Sequence, residues 1–339
     1  MVKKGSKTRP PSMIDVAKNV GVSHQTVSRV INDDKNVSEK TRSLVLKSIE
    51  DLGYRPNSAA RALVTGSTSS VGIIGYNTKL FGPASTMHAL QTKARDLGYD
   101  AHVISLEILT QESIIEAINE QSLSGVGGVI INVPYISEFS IEEINRINIP
   151  KVFVEGPANN NLQTVNIDQV FGARKAVQYL IDNGHRNIAH ISGPRNWFET
   201  EQRVLGWESA LAKNKLSASV LIEGDWSPKS GYNAAREIIE EGSSTAIFCG
   251  NDQMAFGVYK AAYDSNLEIG KDLSVVGFDG LPESEFFRPG LTTIFQDFDE
   301  MGKACLNMLH DILSKNVIQK NNILISPRLI IRESVGTQL

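Results

Sequence analysis

Cysteine is nearly absent. Cys249 and Cys305 are the two in 339 residues, too few for a disulfide framework, and a reducing, cytoplasmic compartment fits. No run of about 18 apolar residues exists, so no membrane span is expected. The basic, polar start, residues 1–11, has no apolar stretch behind it, so no secretory signal is expected. Enzyme motifs are missing as well. There is no G-x-x-x-x-G-K-[ST] phosphate loop, and Gly125, Gly127 and Gly128 lead into a strand rather than from a strand into a helix, unlike a dinucleotide fingerprint. The six His and two Cys show no metal spacing, and no Ser/His/Asp arrangement stands out. His185 and His190 flank a strand and read as structural, and both Cys read as core. No enzyme activity, cofactor or metal is expected.

What is present is an ordinary globular composition, 41% hydrophobic and 21% charged, which excludes disorder over the whole length. At about 100–200 residues per domain, the length suggests two or three domains. The net charge of −4 conceals an asymmetry. Residues 1–66 carry 12 Lys+Arg against 6 Asp+Glu, and the remainder carries 22 against 32. A small basic unit on a larger acidic body is the pattern expected of a nucleic-acid-binding head, with a merely solvated basic surface as the alternative.

Residues 13–20 predict a short amphipathic helix with Ile14, Ala17 and Val20 at helical spacing, broken by Gly21. Ser23 is a good N-cap for a second helix over 24–31. Two short helices across a tight Gly-containing turn make a helix-turn-helix. A third helix follows Ser38, carries Leu44, Val45, Ile49 and Leu52, and ends at Gly53. In the second helix Val27, Val30 and Ile31 are apolar, whereas His24, Gln25, Ser28 and Arg29 are polar. A recognition helix needs that division, because its early residues reach base edges in the major groove. Gln bonds adenine in two places and Arg does so with guanine. Ser23, Thr26, Asn32 and Ser38 are natural phosphate contacts.

The runs I-D-V-A-K-N-V-G-V-S-H-Q-T-V-S-R-V-I-N, V-S-E-K-T-R and G-Y-R-P-N-S-A-A-R-A-L closely resemble the head of the lactose-repressor (LacI/GalR) family of bacterial transcription factors. The resemblance implies that His24, Gln25 and Arg29 occupy the main base-contacting positions and that Leu63 is an apolar wedge. After Pro56, Asn57 N-caps a segment over 58–64, closed by Gly66. Isolated helices below about 12–15 residues are marginal in water, so this hinge is expected to fold only when two copies pack on DNA. A Leu between base pairs unstacks them and kinks the minor groove, with Arg61 on phosphate. A plain interdomain linker is the alternative.

From residue 67 onward, apolar strand-like runs alternate with amphipathic helices. Strands are expected at 71–75, 101–106, 127–133 and 151–154, with helices at 85–97, 113–121 and 141–147. A second series has strands at 187–192, 220–223, 245–249 and 274–278, with helices at 173–183, 201–213, 232–241 and 253–265. Apolar strands separated by helices imply parallel sheets covered on both faces. The expected fold is a small all-α helix-turn-helix head plus an α/β body of two doubly wound parallel-sheet lobes. The expected domains are 1–55 (head), 56–66 (hinge helix) and 67–339 (body). Lobe 1 takes about 67–166 and 296–325, and lobe 2 about 167–295 and 326–339.

The motifs V-G-I-I, G-H-R-N-I-A-H-I-S-G-P, R-V-L-G-W, G-D-W-S, N-D-Q-M-A-F-G, L-S-V-V-G-F-D and L-T-T-I-F-Q-D-F also stand in the family's order, so the resemblance covers essentially the whole chain. It implies a periplasmic-binding-protein type of body, crossed three times near residues 166, 295 and 326. N-D-Q-M, G-D-W-S and F-Q-D-F make the body most similar to the family's namesake. The implied pocket contains Arg203, Asn251 and Asp279 for sugar hydroxyls, Trp226 as an apolar face, and Gln296 and Phe298 at the crossover. Leu80, Gly82, Pro83 and Thr86 form the upper wall. The chain departs from the namesake at three wall positions. Trp197 and Glu199 stand where small hydroxyl residues are expected, and Glu155 replaces an Asp. A disaccharide or another glycoside is then as admissible as a simple galactoside. Each residue also has a structural alternative: Asn251 and Asp252 as a helix cap, Asp279 in a turn with Gly280, Trp226 and Trp207 as core.

The resemblance implies a repressor that binds pseudo-palindromic operator DNA as a homodimer and is relieved by a small sugar. Two alternatives stay open: a corepressor-dependent regulator responding to a purine or another metabolite, and a sugar-binding protein without DNA function. Only Gly336 to Leu339 follow the family's core, so a C-terminal heptad helix and tetramers through it are not expected.

Overall fold

A computed structural model describes residues 9, 11–31, 34–54, 68–76, 79–134, 140–157, 162–218, 220–317 and 320–338. The chain divides into two compact units, Met1–Ser69 and Ser70–Leu339.

The first unit is three helices: α1 (Met13–Val20), α2 (His24–Ile31) and α3 (Glu39–Leu52). Asp15 Oδ2 accepts the Ser12 backbone N–H at 2.8 Å and starts α1. Gly21 ends it at φ 72°, a left-handed conformation that costs glycine little. Ser23 Oγ accepts the Thr26 N–H at 3.1 Å to start α2, and Ser38 caps α3 through the Thr41 N–H. Val16, Ala17, Val27, Val30, Val45 and Tyr54 form the core. Ile14, assigned to the apolar face by spacing, is 56% exposed, and Val16 takes the inward position instead. The hinge, including Asn57, Arg61 and Leu63, lies outside the described residues, as does Asn32.

The second unit contains two six-stranded sheets. The first has strand order β11-β5-β4-β3-β1-β2, with β1 (Ser70–Tyr76), β2 (Asp100–Leu106), β3 (Val129–Asn132), β4 (Lys151–Val154), β5 (Thr164–Ile167) and β11 (Asn322–Ile325), all parallel. The second has order β12-β10-β9-β8-β6-β7, with β6 (Ile188–Ser192), β7 (Leu221–Glu223), β8 (Ala246–Cys249), β9 (Ser274–Asp279), β10 (Thr292–Phe295) and β12 (Arg328–Ile330). Its β10–β12 pair is antiparallel. The helices are α4 (Phe81–Asp96), α5 (Gln111–Leu123), α6 (Ile141–Arg146), α7 (Gln169–Asp182), α8 (Phe198–Lys213), α9 (Pro228–Glu241), α10 (Asp252–Asp264) and α11 (Phe298–Leu313).

Each sheet buries both faces. The first packs Ile73 with Leu90, Met301 and Leu306 on one side, and Ile74 with Ile114, Ile118 and Ile131 on the other. The second packs Ile247 with Ala255 and Val258 on one side, and Phe248 with Trp207 and Val177 on the other. The chain passes between the sheets three times: after β5, after β10 and after β11.

Several body helices begin earlier than their apolar period suggests, because caps set the start. Asp168 caps α7, Ser227 caps α9 with Pro228 at the first position, and Asn251 caps α10. α4 begins at Phe81, with Gly82 and Pro83 in its first turn, where proline's missing N–H costs nothing.

Candidate functional site

Two surfaces carry chemistry. On α2, Val27 and Val30 point into the head core, and Ser23, His24, Gln25 and Arg29 are exposed. Thr26 and Ser28 are half-buried beside them. Arg29 Nε lies 3.8 Å from Asp34, an exposed pair of the kind worth about 0–1 kcal/mol, so its guanidinium is easily released to a stronger acceptor.

The second surface is a cavity of about 80 Å³ between the two sheets. All thirteen pocket positions drawn from the sequence line it: Leu80, Gly82, Pro83, Thr86, Glu155, Trp197, Glu199, Arg203, Trp226, Asn251, Asp279, Gln296 and Phe298. They reach it from the C-terminal ends of strands, from the first two turns of α4 and α8 and from the start of α11, the place where α/β sheets bind ligands. Gln169, Asn132 and Met301 also line it and were not anticipated. Asn132 ends β3, so the strand-end rule is a signal that finds it. Gln169 follows the cap of α7 and gives no comparable sign.

The cavity floor is one polar network. Arg203, 5% exposed, donates through Nε to Gln169 Oε1 at 2.9 Å and through a terminal nitrogen to the Gly250 carbonyl. It also lies 3.6 Å from Asp279 Oδ1. Gln296 donates to that same oxygen at 2.7 Å. Gln169 Nε2 donates to Glu155 Oε1 at 3.0 Å and to Gln296 Oε1 at 2.8 Å. Glu155 thereby ties the first sheet to α7. Burial pushes the Glu155 carboxyl up to about 8, with Glu199 nearby adding to the rise. Burial likewise lifts Asp279 to about 6, although Arg203 and Gln296 pull it down. Burial also raises Glu199 above the usual carboxylate range.

Three atoms in this cavity are buried without a hydrogen-bond partner: Glu155 Oε2, Glu199 Oε2 and Trp226 Nε1. A buried polar atom left unpaired costs about 1–3 kcal/mol, so each calls for a partner. The backbone is strained here too. Among the described residues, Glu155 (φ 58°), Trp226 (φ 71°) and Asp279 (φ 103°) are three of the six non-glycine residues at positive φ, and the other three follow helix ends. For a Trp this conformation is a genuine outlier, held only where the surroundings impose it. The indole lies against Gly193 and Gly250, where an added Cβ would stand 1.9 Å and 3.2 Å from ring atoms.

Some residues serve both the fold and the cavity. Asn251 caps α10 through Met254 N–H and donates to the Trp226 carbonyl at 3.2 Å, so it holds the Trp226 backbone as well as lining the cavity. Asp279 makes the expected turn with Gly280, also at positive φ. Trp207 is core: its Nε1 donates to the Ile188 carbonyl at 3.1 Å. His190 sits within β6, is bonded to the Phe248 carbonyl, and burial lowers it to about 4. Neither it nor His185 lines the cavity. Among the described residues no His, Cys, Asp and Glu cluster suits a metal, and no helix is long and apolar enough to cross a membrane.

Residues 12–57 match the model of bacterial regulatory proteins, lacI family, and residues 177–335 match the periplasmic binding protein-like domain. The lactose operon repressor of Escherichia coli (strain K12) is 33% identical over 318 residues, 93% of this chain and 88% of that protein. The HTH-type transcriptional repressor PurR of Histophilus somni (strain 2336) is 32% identical over 331 residues, 95% of this chain and 98% of that protein. The crystal structure of the lac repressor dimer bound to operator and the anti-inducer ONPF has a TM-score of 0.89 at 32% identity, covering 96% of this chain and 99% of that one. Similarity of this extent places the chain in the lacI family of bacterial regulatory proteins: it is a DNA-binding transcriptional repressor, not an enzyme.

Proposed function

We propose that this repressor binds a pseudo-palindromic operator as a homodimer and releases it when a small sugar, a glycoside such as a galactoside, enters the cavity between the lobes. The observation that carries the ligand is the set of three unpartnered buried polar atoms beside an aromatic face, Trp226. Sugars offer both partners that such a site lacks: hydroxyls for the carboxyl oxygens, and ring or hydroxyl oxygens for the indole N–H. Their ring faces pack on aromatic surfaces.

On the DNA side, α2 enters the major groove with Gln25 and Arg29 at base edges, His24 and Ser28 beside them, and Ser23, Thr26 and Ser38 near phosphate. Two heads read two half-sites, which requires two chains. Sugar binding favours a lobe arrangement with lower operator affinity. Moving a 1:99 balance to 99:1 needs about 10⁴-fold preference for one arrangement.

Fluorescence anisotropy on DNA upstream of the protein's own gene, at fixed salt, tests this with galactosides, glucosides and purines. Tight binding released by a sugar is the expected result. A purine that strengthens binding would overturn the inducer logic in favour of a corepressor. Absence of salt-sensitive binding would count against the operator itself, because phosphate contacts lose affinity steeply with salt.

A further inference from the structure

Among the described residues, Arg203 is the one cation that lines the cavity, and it is already committed. It donates to Gln169 and to the Gly250 carbonyl, lies 3.6 Å from Asp279, and packs its guanidinium 4.0 Å from the centre of the Phe278 ring. One cation thus answers one carboxyl. Two further carboxyls line the same space: Glu155, which follows β4, and Glu199, in the first turn of α8. Each keeps one oxygen, Oε2, buried without a partner. The two groups are near enough for the charge of Glu199 to raise Glu155 further. The other groups that face Glu155 are Gln169 of α7, Arg203 of α8 and Cys305 of α11, whose thiol burial pushes up and keeps neutral.

Neighbouring buried carboxyls can be relieved by protons, by hydroxyls or by a cation. In the empty cavity protons serve, and Glu155 holds its own up to about pH 8. A sugar hydroxyl donates one hydrogen bond, so it answers one of the two oxygens and brings no charge. An ammonium has three donors and a full positive charge, so one group answers both oxygens. The aromatic faces favour the same guest. Trp197 and Trp226 stand 5.8 Å apart, inclined by 53°, and Tyr76 backs Trp197 edge-on at 6.5 Å. Tryptophan faces attract ammonium groups as well as sugar rings. Trp226 Nε1, also buried and unpaired, needs the opposite partner, an oxygen that accepts. The unpaired atoms together call for a ligand with a cationic nitrogen and neutral oxygens. A phosphate or carboxylate would meet two carboxyls and no uncommitted cation.

We infer that the effector is an amino sugar whose ammonium sits between Glu155 and Glu199, and that phosphorylated and acidic sugars are excluded. This rests on the sugar-responsive function proposed above. The ammonium favours the ionised carboxylate, so the Glu155 proton passes to solvent on binding while the ammonium keeps its own. Isothermal titration calorimetry on the full-length protein at about pH 6.5 tests this. The probes are glucosamine, galactosamine and 6-amino-6-deoxyglucose, their parents glucose and galactose, N-acetylglucosamine, and glucose 6-phosphate. At least one amino sugar is expected to bind about tenfold or more tighter than its neutral parent and than N-acetylglucosamine, the scale of a hydrogen bond to a charged group. Glucose 6-phosphate is expected to bind weakest. Buffers of different ionisation enthalpy should show proton release with the amino sugar and none with the parent. In Glu199→Gln the ratio of amino to neutral sugar is expected to fall to within roughly threefold of one, while the neutral sugar keeps its affinity, which separates loss of the charge from loss of the fold. Neutral sugars binding as tightly as every amino sugar would overturn the inference alone. So would a ratio unchanged in both Glu199→Gln and Glu155→Gln. No binding by any probe would overturn the inference and the sugar reading together.

Discussion

The second sheet's wall of the cavity carries Glu199, Arg203 and Asp279, whereas the first sheet's wall carries Leu80, Pro83, Val133 and Val154 around one carboxyl, Glu155. Charged groups are concentrated on the second wall and aliphatic area on the first, although Asn132 lies on the first wall and Trp197 and Trp226 on the second. Charged groups and amides fix the orientation and identity of a ligand, because their partners must arrive at set angles. Apolar cover contributes area without direction and tolerates sliding. On the function proposed above, the second wall supplies most of the directed partners of the ligand. Glu155 is the exception that ties the two: it lies on the first sheet's side and accepts from Gln169 of α7, which also holds Arg203 and Gln296.

Removing charge from the second wall should have the largest effect. Arg203→Leu leaves Asp279 buried without its cation, a change expected to cost about 3–5 kcal/mol. Thermal unfolding should drop by several degrees and sugar binding should vanish in calorimetry. A variant that melts and binds like the parent would erase the distinction between the walls. Gly193→Ala comes next. Its Cβ would stand 1.9 Å from Trp226, so the indole must move, at about 1–3 kcal/mol in denaturant unfolding and with weakened sugar affinity.

The third change acts on the tie itself. The folded state holds the Glu155 proton up to about pH 8, whereas an unfolded Glu releases it near 4.5. Between those values the folded state binds more protons, so stability falls as pH rises, by at most about 1.4 kcal/mol per pH unit. Glu155→Gln should flatten that slope, raising relative stability at pH 8 and leaving pH 4.5 nearly unchanged. Identical slopes in urea unfolding at the two pH values would contradict it. The smallest effect belongs to the apolar wall: Leu80→Ala should weaken sugar binding less than about fivefold, since it removes area but no directed bond.

The sequence carries the local features and loses the distant ones. The helix bounds of the helix-turn-helix are legible, because Ser23, Gly21, Ser38 and Gly53 mark its ends, although spacing places Ile14 inward where Val16 is. Of the thirteen cavity positions, Arg203, Trp226, Asn251, Asp279, Gln296 and Phe298 stand in recognisable motifs, and the others follow only from the family resemblance. Four strands are not. β5, β10, β11 and β12 have three or four residues each, and β11 pairs with β5, and β12 with β10, across gaps that local periodicity does not register. β2 reads as a buried strand but lies at a sheet edge, with alternate residues exposed. α11 is absent from the sequence reading although Met301, Cys305 and Leu309 repeat at helical spacing. Gln169 escapes because a Gln after a helix cap is an ordinary surface residue, and only the tertiary fold puts it beneath Arg203.

The central claim is that the cavity and the DNA-reading helix are alternatives in free energy. The most direct test is to titrate the active sugar into the protein with and without saturating operator DNA. Binding linkage is reciprocal, so operator should weaken sugar binding by the same factor that sugar weakens operator binding, on the order of 5–150-fold. A sugar affinity that is the same with and without operator would contradict the account.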